Sequence, residues 1–192
     1  MNHRMVTFFC MFGILTGCAH SGNLKPSPDE AKQTCPPDGC TEPYSFDLIG
    51  DDGKTLSFSF KSRPPIVQGN FISIFPGETT HVLADVSGAE LTNFRTTKQV
   101  EHPSRTLTFQ FSQEEFEKGE RLMLLTITNP FDRAIKFRAG MMLPSSDRLM
   151  KTSVCPLMPN GKNFESWPEP IFQIVLTDFH FLDKLKESQA CE

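Results

Sequence analysis

The chain has 192 residues, a formal net charge of −4 and 38% hydrophobic residues, which suits one domain of ordinary size able to bury a proper core. That mild acidity leaves no basic footprint for nucleic acid and no broad electrostatic adhesion to anionic lipid. Eighteen Phe against one Tyr and one Trp predict a core packed mainly by phenylalanine.

The first element is a leader. Met1-Asn2-His3-Arg4 is a short basic start, Met5 to Leu15 an apolar run, and Thr16-Gly17-Cys18 a small-residue stop. This is the pattern of a secretory signal peptide. A run of about eleven residues is too short for a transmembrane helix, which needs roughly 20. Leu15-Thr16-Gly17-Cys18 resembles the lipobox of bacterial lipoproteins. The resemblance implies removal of residues 1–17 and attachment of diacylglyceryl (palmitate-type) chains to Cys18. Several acyl chains on one residue anchor stably, where one gives only marginal binding. Ala19 after the Cys, by resemblance to the sorting rule of enteric bacteria, implies outer-membrane attachment facing the periplasm.

Residues 18–43 are rich in Ser, Pro, Asp, Lys and Gly, and read as the lipidated Cys and a flexible tether. Cys35-Pro36-Pro37-Asp38-Gly39-Cys40 ends this stretch. With Cys10 removed and Cys18 lipidated, Cys35, Cys40, Cys155 and Cys191 remain. In an oxidising periplasm they suggest two disulfides, out of three possible connectivities. The Pro-Pro-Asp-Gly insert is a turn former, so Cys35–Cys40 is expected to close that turn. Cys155–Cys191 would then pin the C-terminal tail to the loop before Trp167. The rival reading, a redox or metal pair, lacks CxxC spacing and a second ligand pair.

From residue 44 to 192 the pattern is that of one β-sandwich domain. Tyr44, Phe46 and Leu48, then Leu56, Phe58 and Phe60, alternate with mostly polar residues around Gly50-Asp51-Asp52-Gly53, which makes a hairpin. Further strands are expected over 71–75, 81–86, 91–97 and 106–111. Ser112-Gln113-Glu114-Glu115 has the form of a capping box, and predicts one or two helical turns ending near Lys118-Gly119. Arg121 to Thr128 reads as a central strand buried on both faces. After the turn Asn129-Pro130-Phe131-Asp132, Ala134 to Ala139 alternates Ile135 and Phe137 with Lys136 and Arg138. Residues 140–170 read as loop-rich, 171–181 as the last strand, and 184–192 as a polar tail.

Eight or nine short strands at roughly ten-residue spacing, with one short helix, predict an all-β antiparallel sandwich. Residues 124–137 look like a stretch common in immunoglobulin-like sandwiches, where an inner strand ends in Asn-Pro, so an immunoglobulin-like fold is expected.

No nucleophile elbow, phosphate-cradling loop or His-Glu-x-x-His motif is present, and Asp51/Asp52 and Glu114/Glu115 sit where acids ordinarily lie in turns and helix starts. The chain is expected not to be an enzyme, and no cofactor or metal is assigned. A cupredoxin-like copper site needs a His near the late Cys, and Cys155 is followed only by Met158. Met141, Met142, Met150 and Met158 nonetheless allow a copper-handling alternative, with His180 as a further ligand. The segment 152–171 holds Met158, Phe164 and Trp167, residue types favoured at binding surfaces. The competing reading is that Trp167 covers an end of the sandwich. The expected function is a lipid-anchored binding or assembly module for another envelope component. The alternatives are a small-molecule or copper-handling lipoprotein, and a hydrolase with scattered catalytic residues.

Overall fold

The computed structural model of the chain describes residues 43–62, 65–183 and 190–191. The leader, Cys18, the tether before Pro43, and Cys35 and Cys40 lie outside the described residues. All described residues belong to one compact unit, Cys35–Glu192. Among the described residues twelve strands run in chain order: β1 Tyr44–Ile49, β2 Thr55–Phe60, β3 Val67–Gln68, β4 Phe71–Ile74, β5 Glu78–Ser87, β6 Glu90–Thr97, β7 Thr106–Glu115, β8 Arg121–Thr128, β9 Ile135–Met142, β10 Met150–Thr152, β11 Lys162–Trp167 and β12 Gln173–Phe181.

Ten of these form one antiparallel sheet in the order β10-β9-β12-β6-β5-β7-β8-β11, with β4 also on β12 and β3 on β4. The sheet folds over at β12. The first half of β12 pairs with β4, and its end meets β6 at His180–Glu90. A bulge between Thr177 and His180, with Asp178 at φ 57°, makes this corner. Bulges bend strands where sheets turn corners. The two halves pack face to face as an all-β sandwich.

Strand alternation places the apolar residues between the layers. Leu107, Phe109 and Phe111 of β7 and Met123, Leu125 and Ile127 of β8 face Ile174, Leu176 and Phe179 of β12 and Ile135 and Phe137 of β9, all buried. Phe179 joins the layers: its ring lies 5.4 Å from Phe94 and 6.4 Å from Phe109 on one side, and stacks on Phe137 at 5.4 Å. Burial of a Phe side chain contributes about 1.5–3 kcal/mol. That explains the phenylalanine bias of the composition.

The hairpin β1–β2 forms its own two-stranded sheet with Tyr44 opposite Phe60. It turns Phe46, Phe58 and Phe60 onto Phe75 and Phe172, with ring centroids 5.0–6.2 Å apart among these five residues. The side chain of Gln113 stitches it to β7: Gln113 Oε1 accepts the Ile49 N–H at 2.7 Å and Nε2 donates to the Ile49 carbonyl at 2.9 Å. The Tyr44 hydroxyl donates to the Pro76 carbonyl.

Three sequence expectations change. The helix expected from Ser112 is one 3-10 turn, Glu117–Gly119, because β7 continues to Glu115. Ser112 to Glu115 pair with Leu124 to Arg121, the Arg121–Glu115 ion pair closes at 2.6 Å, and Ser112 Oγ donates to Glu114 rather than capping a helix. Sheet pairing outweighs the capping pattern here. Second, β8 lies between β7 and β11 but buries one face only, with Leu122, Leu124, Thr126 and Thr128 half-exposed on the other. Third, the stretch 140–170 holds two strands, β10 and β11. Its prolines, at 144, 156, 159, 168 and 170, all lie outside them, as the missing N–H of Pro requires.

Candidate functional site

The two ends of the sheet, β10 and β11, are joined by residues 153–161, which cross the open side of the sandwich. Alternation on β11 turns Asn163, Glu165 and Trp167 inward, and each holds one part of the crossing segment. Trp167 Nε1 donates to Thr152 Oγ1 at 2.7 Å. Glu165 Oε1 accepts the Cys155 N–H at 2.8 Å. Asn163 donates to the Pro156 carbonyl at 2.9 Å and accepts the Met158 N–H at 3.0 Å. On the other layer, Leu157 and Ile135 exchange both backbone hydrogen bonds, at 2.8 and 3.0 Å. Val154 and Leu157 are buried beneath, and Cys155 is disulfide-bonded to Cys191. The segment is a stitched cover over the core.

Burial pushes the Glu165 carboxyl above its ordinary value, offset in part by the Cys155 N–H. The carboxyl sits inside because its strand position faces inward and the crossing segment offers it a backbone donor.

The turn 158–161 is held in turn by the Asn129-Pro130 corner. Buried Asn129 donates from Nδ2 to the carbonyls of Met158 and Arg133, both at 2.9 Å, while Oδ1 accepts the Phe131 N–H at 3.0 Å. Asn160, at φ 47°, donates its N–H to the Phe131 carbonyl at 2.8 Å. Asn adopts this left-handed conformation at modest cost.

The three binding-surface candidates separate on this scaffold. Trp167 is 7% exposed, so it belongs to the cover and not to the surface. Its indole fills the inward position of β11, with its N–H paired, as a buried Trp requires. Met158 is 58% and Phe164 65% exposed, Met158 at the turn and Phe164 on the outward face of β11, opposite Thr126. Among the described residues no strand pairs with the other edge of β11. The corner is therefore an apolar side chain on an open strand edge, beside a protruding thioether. Periodicity could have placed Phe164 outward, had the polar run Lys162–Trp167 been read as a strand.

The methionines divide differently. Met141 and Met150 are cross-strand partners on β9 and β10, Met142 lies opposite Gln173, and Met158 lies on the turn before β11. His180 lies on β12, where its Nδ1–H donates to the Asp178 carbonyl at 2.9 Å. Among the described residues no group of three His, Cys, Asp or Glu side chains is placed to hold a metal, and no helix is long and apolar enough to cross a membrane.

Against protein-family models, curated proteins and solved structures, the chain finds no match.

Proposed function

We propose that this chain is a lipid-anchored envelope protein, attached through Cys18 to the outer membrane on its periplasmic side, whose sandwich is a binding or assembly module. The immunoglobulin-like kinship belongs to the same proposal and rests on residues 124–137, where β8 ends and Asn129-Pro130 leads into β9. The partner is another envelope protein that adds a strand along β11.

The observation that carries the reading is Phe164, 65% exposed on an edge strand whose outer side no described strand pairs. Sheet edges attract added strands, and proteins usually blunt them with Lys, Pro or inward charge. On the outward face of β11 the one charge is Lys162 at its end. Strand addition supplies affinity through the backbone, and a side chain at an alternate position supplies specificity. Glu165, the inward charge of this edge, is already engaged by Cys155.

The test is photocrosslinking in intact cells with a crosslinker at position 164 of the full chain, read by mass spectrometry. Reproducible attachment to one envelope protein is expected, reduced at least tenfold when a crosslinker on the turn at Met158 is used together with Phe164→Asp. Attachment to many proteins at random, or to none, overturns the assignment.

A further inference from the structure

The outer face of the other layer carries a second surface, independent of the β11 edge. A groove of about 440 Å³ lies over β9, β10 and β12, lined by Lys136, Arg138, Lys151, His180, Asp178 and Glu90. Its volume lies within the roughly 300–1,000 Å³ of small-ligand sites. Strand alternation builds it. Lys136 and Arg138 are two residues apart on the outward side of β9, hence about 6–7 Å apart. Lys151, opposite Gly140, continues the line on β10. His180 lies opposite Lys136 on one side and Glu90 on the other.

The bulge in β12 adds the acid. Thr177 already faces outward, and the extra residue turns Asp178 outward as well, while Phe179 and Phe181 face the core. Asp178 Oδ2 then meets Arg138 Nη1 at 3.2 Å. This ion pair is exposed and contributes little stability, but it aims the planar guanidinium. The His180 Nδ1–H is held by the Asp178 carbonyl at 2.9 Å.

The mixture of charges specifies the ligand. Three cations and their N–H donors suit a phosphate or carboxylate. The two carboxylates repel a second anionic group and accept hydrogen bonds from hydroxyls. Phe137 is buried, so its ring offers the groove no stacking face. We infer that this groove binds an acidic sugar unit: the anionic group sits among Lys136, Arg138 and Lys151, and the ring hydroxyls are held by Asp178 and Glu90.

The experiment is NMR titration of the full chain with glucose 6-phosphate and with glucuronate, against glucose and inorganic phosphate. Saturable binding of a sugar acid is expected, at least tenfold tighter than glucose or phosphate, with shifts confined to amides of β9, β10 and β12. Binding of one of the two acids alone supports the proposal and names the anion. Arg138→Gln and Lys151→Gln should each weaken it at least tenfold, and Lys54→Gln on the hairpin turn should leave it unchanged. No binding of either acid overturns the proposal. So does phosphate binding as tightly as the sugar acids, or full affinity in both groove variants with their spectra otherwise native.

Discussion

Glu165 is the residue where burial and charge meet. Its carboxyl is 9% exposed, and desolvation raises its pKa while the Cys155 N–H pulls it part of the way back. A carboxyl whose folded pKa is raised stabilises fully below its unfolded value, and that contribution is lost as pH rises through the folded value. Glu165→Gln keeps an oxygen for the Cys155 N–H and removes the charge. The two proteins should therefore be equally stable near pH 4. The Gln variant should become the more stable one as pH rises to 7, measured by denaturant unfolding at each pH. A constant difference across that range would show that the charge is not what matters at this position. Asn129 is the opposite case, since its side chain's hydrogen bonds are neutral and the three partners of that side chain are backbone groups.

Among the elements, the hairpin β1–β2 is a two-stranded sheet of its own, tied to β7 by a side chain. The Gln113 amide stands in for a strand, accepting and donating at Ile49 as a neighbouring backbone would. Replacing it with Leu leaves the Ile49 N–H and carbonyl unpaired at a partly buried position, a cost of about 1–3 kcal/mol. Hydrogen exchange should rise at least tenfold for amides 44–60 in Gln113→Leu, with β7 and β8 unchanged. Uniform acceleration would mean that the hairpin does not open as a unit. β11 shows a different division of labour: its inward residues hold the cover and its outward ones stay bare. A substitution at Phe164 thus tests binding, whereas one at Trp167 tests stability.

For the whole molecule, cysteine chemistry makes one observed connection, Cys155–Cys191, and one proposed connection, at Cys18. The Cys155–Cys191 bond spans 36 residues and ties the chain's end to the cover. Loop entropy for that span gives about 3–4 kcal/mol, so Cys191→Ser should lower unfolding stability by about that amount in the oxidised protein, and reductant should abolish the difference. Cys18 carries the proposed anchor. Cys18→Ser should move the protein from the membrane fraction to the soluble periplasm in cell fractionation. An unlipidated wild-type protein that stays membrane-bound would refute the anchor.

The amino-acid sequence by itself determined what local chemistry controls. Alternating Phe and Leu around Gly50–Gly53 specify the first hairpin, and alternation of Ile135 and Phe137 with Lys136 and Arg138 specifies β9, because a strand's period is a local property. The placement of Cys155 within a Pro-rich segment between strands likewise matched its role in the cover. The tertiary structure alone decided the rest. Ser112–Glu115 carry a helix-start pattern, yet they lie in a strand, because β8 and the Ile49 backbone offer them partners that no local window contains. Lys162–Trp167 look like loop, yet pair with β8 along their full length. The groove draws its residues from strands far apart in sequence, brought together by sheet pairing, and the bulge at Asp178 adds one of its acids. Pairing between distant strands is a property of the closed fold, and a linear pattern carries only one side of each pair.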